Sequence, residues 1–167
     1  NNRISVVEPG ILRMKKYKYT ENNKLNFLSC GSIIDRKNYI FLLKVFKKFK
    51  NYSFNIVGDT SRDNKYYIKI KKFVKDNKLS KKINFCGRVS DIKLAKLYSQ
   101  TDFYISASKY EGFGMSLANS LIARKPIITF YTKTINQTLK NKGILYFDKF
   151  SVKHLQELIL TNCFNKE

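Results

Sequence analysis

At 167 residues, 43% hydrophobic and 14% aromatic, the chain has the length and apolar content of one packed domain, which excludes both global disorder and two well-formed domains. No apolar run approaches the roughly 18 to 20 residues that a membrane-spanning helix needs. The formal net charge of +21 calls for an anionic partner or a heavily solvated surface, and by itself decides between neither.

Short apolar runs alternate with amphipathic stretches from Leu25 onward. Phe27-Leu28-Ser29-Cys30, closed by Gly31, reads as a strand. Within Asn38 to Lys50, Tyr39, Leu42, Leu43, Phe46 and Phe49 recur at helical spacing. Ser53 to Val57 is a strand closed by Gly58-Asp59, and Asn64 to Lys78 is a helix with Tyr66, Ile70, Phe73 and Val74 on one face. Ile83 to Cys86 is a short strand ending at Gly87. Ser90 then has the character of an N-cap, for a helix that turns Ile92, Ala95 and Tyr98 inward. Phe103 to Ser106 is a strand whose loop leads into a helix from Gly114 to Arg124, stopped by Pro126. Ile127-Ile128-Thr129 is buried strand, Ile144 to Phe147 is the last strand, and Ser151 caps a helix with Val152, Leu155, Leu158 and Ile159 inward.

This alternation predicts an α/β fold: a Rossmann-like, doubly wound parallel sheet of about six strands, covered on both faces. Ligands of such sheets bind beyond the carboxyl ends of the strands. A site is therefore expected among the loops 31–37, 58–63, 87–90, 107–114 and 130–134. The start, Asn1-Asn2-Arg3-Ile4, has neither an initiator Met nor a signal-peptide layout. Residues 1–24 are read as a strand and connection from a preceding domain, and 25–167 as the domain proper.

Three scattered cysteines, Cys30, Cys86 and Cys163, fit neither a disulfide framework nor a zinc site, and point to a reducing cytosol. Cys30 and Cys86 sit in apolar strands as small buried hydrophobes. The single His154 belongs at the edge of the last helix. Asp59 and Asp63 are too sparse a pair for a metal. The charge has a bland reading. Lys outnumbers Arg 27 to 6, whereas base readout and bidentate phosphate clamps favour Arg. Lys, Ile, Asn, Phe and Tyr, all with A/T-rich codons, make up half the chain. A solvated basic face leads, an anionic membrane surface comes second, and nucleic acid is the weakest reading.

The most informative stretch is Ser108-Lys109-Tyr110-Glu111-Gly112-Phe113-Gly114-Met115-Ser116-Leu117-Ala118-Asn119. Two glycines flank an aromatic at a helix start, with an acid just before them. Free N–H groups and the dipole at such a start favour phosphate or polarised hydroxyls. An ionised Glu111 can only accept hydrogen bonds, which suits hydroxyls or an amine. A glycine-bearing loop with a solvated Glu is the competing reading of the same residues.

The stretch resembles the donor-sugar loop, E-G-F-G-x-x-x-x-E, of glycosyltransferase family 4, enzymes of the GT-B fold. The order of elements from residue 25 to 160 is similar to that family's carboxyl-terminal, donor-binding domain: strand-Gly then Lys-Asn, strand-Val-Gly-Asp, strand-x-Gly-Arg-Val, and Tyr-Glu-Gly-Phe-Gly. The resemblance implies a retaining, metal-independent glycosyltransferase with no further cofactor, whose substrate is a nucleotide-diphosphate sugar. It implies catalytic roles for Lys37, which neutralises the departing diphosphate, and Glu111, which holds hydroxyls of the transferred sugar. Gly112, Phe113, Gly114 and Met115 then match the loop whose amides meet sugar and diphosphate, and Arg88 and Val89 the loop lining the nucleobase. Two positions depart from the pattern. Asn119 stands where a second acid takes the ribose hydroxyls, and Ser32, after Gly31, stands where a diphosphate-binding Arg is usual; Arg36 is the nearby replacement. An acceptor domain on the amino-terminal side is implied as partner, the isolated segment being inactive without it. So is a cytoplasmic place, peripheral at the inner membrane face, in surface glycan or glycolipid assembly. The rival class is a binding module: a degenerate, non-catalytic transferase domain, or a basic Rossmann-like module that takes an anionic polymer.

Overall fold

The computed structural model describes residues 17–19, 23–139 and 143–164. The strand and connection expected over residues 1–24 fall outside them, apart from 17–19 and 23–24. Six parallel strands form one sheet in the order β3-β2-β1-β4-β5-β6. They are β1 Leu25–Cys30, β2 Tyr52–Val57, β3 Ile83–Gly87, β4 Phe103–Ser106, β5 Ile127–Phe130 and β6 Ile144–Phe147. The helices are α1 Tyr39–Phe46, α2 Asn64–Asp76, α3 Asp91–Ser99, α4 Met115–Ile122, α5 Lys133–Leu139 and α6 Val152–Ile159. The direction of winding reverses between β1 and β4, which makes the seam between these strands the switch point of the sheet.

Because successive strand residues point to opposite faces, Phe27 and Leu28 enter different cores. Phe27, Phe54 and Phe103 face α1, α2 and α6, whereas Leu28, Tyr104 and Ile127 face α3, α4 and α5. The first core is aromatic. Phe27 meets the edge of Phe46 at 4.8 Å and stacks on Phe103 at 5.8 Å, and Phe46 leans on Phe54 at 4.8 Å. Such pairs add to simple area burial. Side chains cap the helices where the sequence placed them: Ser90 accepts from the Lys93 N–H and Ser151 from the His154 N–H.

Four expectations change. The first helix ends at Phe46 rather than Lys50: the chain turns there to enter β2, Phe49 stays buried, and its carbonyl accepts from Lys82 Nζ at 3.0 Å. Ile92 is 72% exposed, because the inward face of α3 runs through Leu94, Ala95, Leu97 and Tyr98 and leaves Ile92 outside. The cysteines Cys30 and Cys86 are half-buried rather than enclosed. Helix α5 is an addition; Thr132 accepts from the Ile135 N–H at its start, and a single buried residue, Ile135, anchors it.

The loops after β1 and β2 lie back to back. Gly58 has φ +155°, and a Cβ there would stand 1.9 Å from the Gly31 carbonyl oxygen. Relief requires the two strand ends to part. Gly58→Ala should therefore cost more than about 2 kcal/mol, read as a lower urea midpoint at unchanged slope.

Candidate active site

Two segments 74 residues apart meet at the switch point: the 3-10 turn Asp35–Lys37 after β1, and the loop from Ala107 to Gly114 after β4. The Lys109 N–H donates to the Arg36 carbonyl at 3.0 Å, and Lys109 Nζ pairs with Asp35 at 2.7 Å. Arg36 donates to the Tyr110 carbonyl and reaches Glu111 Oε2 at 3.3 Å. Lys37 Nζ pairs with Glu111 Oε1 at 2.5 Å, the two side chains being only 11% and 12% exposed. Glu111 thus has a cation on each oxygen. Gly31 makes the approach feasible, since a Cβ there would lie 2.8 Å from Lys37 Cε. Asn38 leaves the turn at φ 54°, a left-handed conformation that Asn tolerates, and releases the chain into α1.

Burial pushes the Glu111 carboxyl up, but the Lys37 charge and hydrogen bond, with help from Ser108 and Arg36, outweigh it and leave Glu111 below its ordinary value. It is an anion at neutral pH. Beside it, the Cys30 thiol is pushed up to about 12, by burial above all, so it remains a neutral wall residue.

The pair opens on a cleft of about 390 Å³ at the carboxyl ends of the strands. Of the residues singled out from the sequence, the cleft is lined by Gly31, Lys37, Glu111, Phe113, Gly114, Met115 and Asn119. Helix α4 begins there with Gly114 as its N-cap at φ +82°. Asn119, in its second turn, is 8% exposed, and its Oδ1 has no hydrogen-bond partner among the described residues. A buried amide oxygen of this kind calls for a donor beyond the described residues.

The others stand apart. Ser32 is half-buried and lies off the lining, Arg36 stands behind Glu111, and Gly112 is exposed. Arg88 is exposed and pairs with Asp59 at 2.9 Å; Val89 packs into the core beneath α3. Hydrogen bonds from Ser61, then Arg88, hold Asp59 at about 2. Asp63 is spent on the α2 cap, accepting from the Tyr66 N–H. Among the described residues, no three His, Cys, Asp or Glu side chains gather as a metal site. His154 stands half-buried at the edge of α6, 4.0 Å from Asp148.

Sequence reasoning placed Tyr98 in the core and left its hydroxyl aside. Tyr98 also lines the cleft, and it donates to the Ser116 carbonyl in the first turn of α4 at 2.9 Å. Its ring stacks on Tyr104, whose hydroxyl accepts from the Cys30 N–H at 3.0 Å. The signal was a fully buried tyrosine, whose hydroxyl needs a partner.

A family model described as glycosyl transferases group 1 matches residues 13–162. The chain belongs to that family. An uncharacterized glycosyltransferase of Methanocaldococcus jannaschii is 28% identical over 167 residues, covering 99% of this chain and 45% of the relative. Among solved structures, a glycosyltransferase from Rickettsia africae superposes with a TM-score of 0.78 at 25% identity, over 86% of this chain and 38% of that one. Anabaena HepE in complex with UDP-glucose superposes with a TM-score of 0.77 at 16% identity, over 86% of this chain and 40% of that one. The group 1 glycosyltransferase chain thus spans less than half the length of these proteins, and its six-stranded sheet is that of a GT-B half-domain.

The ion pair also sets a pH dependence. Since the folded-state pKa of Glu111 lies below its ordinary 4.5, its stabilisation is fully present above that value and is lost as pH falls through the folded value. Glu111→Gln leaves two cations facing a neutral amide. It should cost about 2 kcal/mol near neutral pH, and the gap to wild type should close as pH falls below the ordinary carboxylate value and Glu111 takes up a proton, read in paired urea titrations.

Proposed function

We propose that this domain binds a nucleotide-diphosphate sugar and donates the sugar, with retention at the anomeric carbon, to a glycan or lipid-linked acceptor held by another domain. The observation that carries the reading is the buried Lys37–Glu111 pair at the head of α4, with Arg36 on the second carboxylate oxygen. In the apo site, cation and anion satisfy each other. On binding, the donor's diphosphate takes Lys37, and sugar hydroxyls donate to Glu111, so each charge keeps a partner.

As the anomeric bond breaks, negative charge gathers on the departing diphosphate. Lys37 and the free amides at the start of α4 are fixed in advance to receive it, and this preorganisation is the chain's contribution to rate. Where the usual Arg position holds Ser32, the second positive charge is Arg36, which rests on Glu111 behind the lining and turns to the diphosphate when sugar hydroxyls take up that carboxylate. These groups make a divalent cation unnecessary in this reading. Asn119, whose Oδ1 has no partner among the described residues, takes a pentose hydroxyl. HepE, which binds UDP-glucose, shares the fold and so supports the donor class. A degenerate domain that binds without transfer is the second reading, favoured by the departures at Ser32 and Asn119.

Lys37→Ala should weaken a nucleoside diphosphate roughly 10- to 100-fold in calorimetry while leaving the nucleoside nearly unchanged, as expected for a lost charge-assisted contact. Arg36→Ala should show the same preference, and EDTA should leave the affinity unaltered. Equal, small effects on both ligands would reject the assignment. Asn119→Glu should tighten ribonucleoside diphosphates by about 1 kcal/mol and leave 2′-deoxy analogues nearly unchanged, because a carboxylate can accept from two hydroxyls where the amide oxygen serves one. Donor binding at full affinity without transfer, once an acceptor domain is restored, would select the second reading.

A further inference from the structure

The basic charge is not spread evenly. Residues 44–82 hold thirteen Lys or Arg and three Asp, and so carry nearly half of the +21 in under a quarter of the sequence. A lysine excess imposed by codon composition alone would have no such centre. Four of the thirteen, Lys44, Lys47, Lys48 and Lys50, lie on α1 and the turn after it and Arg62 precedes α2, while the other eight lie on α2 and the turn that follows, beside β3 at the free edge of the sheet. Along 13 residues of helix, about 20 Å, Lys65, Lys69, Lys71, Lys72 and Lys75 accompany a single acid, Asp76, which pairs with Lys72 on the surface.

The same edge is apolar between its charges. Ile68 is 58% exposed in the middle of the lysines. Beside it a groove of about 650 Å³ is floored by Val74, Ile83 and Phe85 and rimmed by Lys71, Lys72 and Lys75, with Asp76 the one acid on its lining. Arginine, the residue of bidentate phosphate and base recognition, is almost missing: Arg62 lies beside Asp59, outside the groove. Compact ammonium groups on long apolar stems, around an exposed aliphatic side chain, suit a surface of diffuse negative charge over hydrocarbon.

We propose that the α2–β3 edge docks this domain on an anionic lipid bilayer, with Lys71, Lys72 and Lys75 among the headgroups and Ile68 at the acyl boundary. The site is separate from the donor cleft, which lies at the carboxyl ends of the strands. With the sheet edge against the membrane, those strand ends point along the surface, and the cleft stays open to a water-soluble donor.

The test is flotation of the 167-residue chain with phosphatidylcholine vesicles and with vesicles that include about one third phosphatidylglycerol. Binding to the anionic vesicles alone is expected. A Lys71→Gln, Lys72→Gln, Lys75→Gln triple variant should lose about a hundredfold in partitioning, at about fivefold per lysine. A control triple, Lys93→Gln, Lys96→Gln, Lys133→Gln, removes equal charge from the α3–α5 face and should lose far less. Ile68→Asp should weaken binding further at high salt, where charge is screened. All six lysines and Ile68 are exposed, and circular dichroism checks each variant's fold. Equal losses in the two triple variants, equal binding to neutral vesicles, or capture of a single-stranded oligonucleotide in preference to anionic vesicles would each overturn the proposal.

Discussion

The buried contact between Lys37 and Glu111 holds the site together. Neither charge would be stable where it stands without the other, because each is almost wholly shielded from water. Their union ties the loop after β1 to the loop after β4, and the Lys109 bonds to Asp35 and Arg36 reinforce the same seam. A partner that takes Lys37 must therefore also give Glu111 something to accept. A sugar joined to a diphosphate has both chemistries in one molecule, spaced by one glycosidic bond. Free phosphate offers only the first, and a free sugar only the second.

The sheet does the positioning. Its winding reverses between β1 and β4, so the loops after these strands diverge on either side of the seam and leave room between them. Helix α4 starts at the rim, with Gly114 in a conformation that only glycine adopts readily and with a Cβ-free face against Ile135. The floor is set by tyrosines. Tyr98 braces the first turn of α4, and Tyr104 stacks beneath it.

Most of the fold was legible in the sequence, because buried parallel strands are short apolar runs and the helices between them keep one apolar face. Glu111 and Gly114 stood out only through the resemblance of their stretch to a known donor-sugar loop, because an acid and two glycines before a helix also fit a plain solvated loop. What remained hidden came from contacts across long stretches of chain. Nothing local to Lys37 announces that its nitrogen meets an oxygen 74 residues away. Nor does helical spacing, which marks Tyr98 as core, say where its hydroxyl goes. Ile92 shows the converse limit, since a three-residue apolar spacing in a short helix does not fix which way the face turns. The pairing of the Arg88 guanidinium with Asp59, on the loop after the neighbouring strand, was likewise not legible.

The seam between β1 and β4 is an unusual joint. Ladder pairing between the two strands runs only through Phe27 with Phe103 and Leu28 with Tyr104. Beyond it, the Tyr104 hydroxyl accepts from the Cys30 amide and donates to the Cys30 carbonyl, so one side chain closes what the ladder leaves open. A hydroxyl on a rotatable bond yields more easily than a strand pairing. The Cys30 amide proton is thereby held by a side chain rather than by the sheet, and its exchange with deuterated water should report local release of that hydroxyl, separately from the unfolding of the strands on either side.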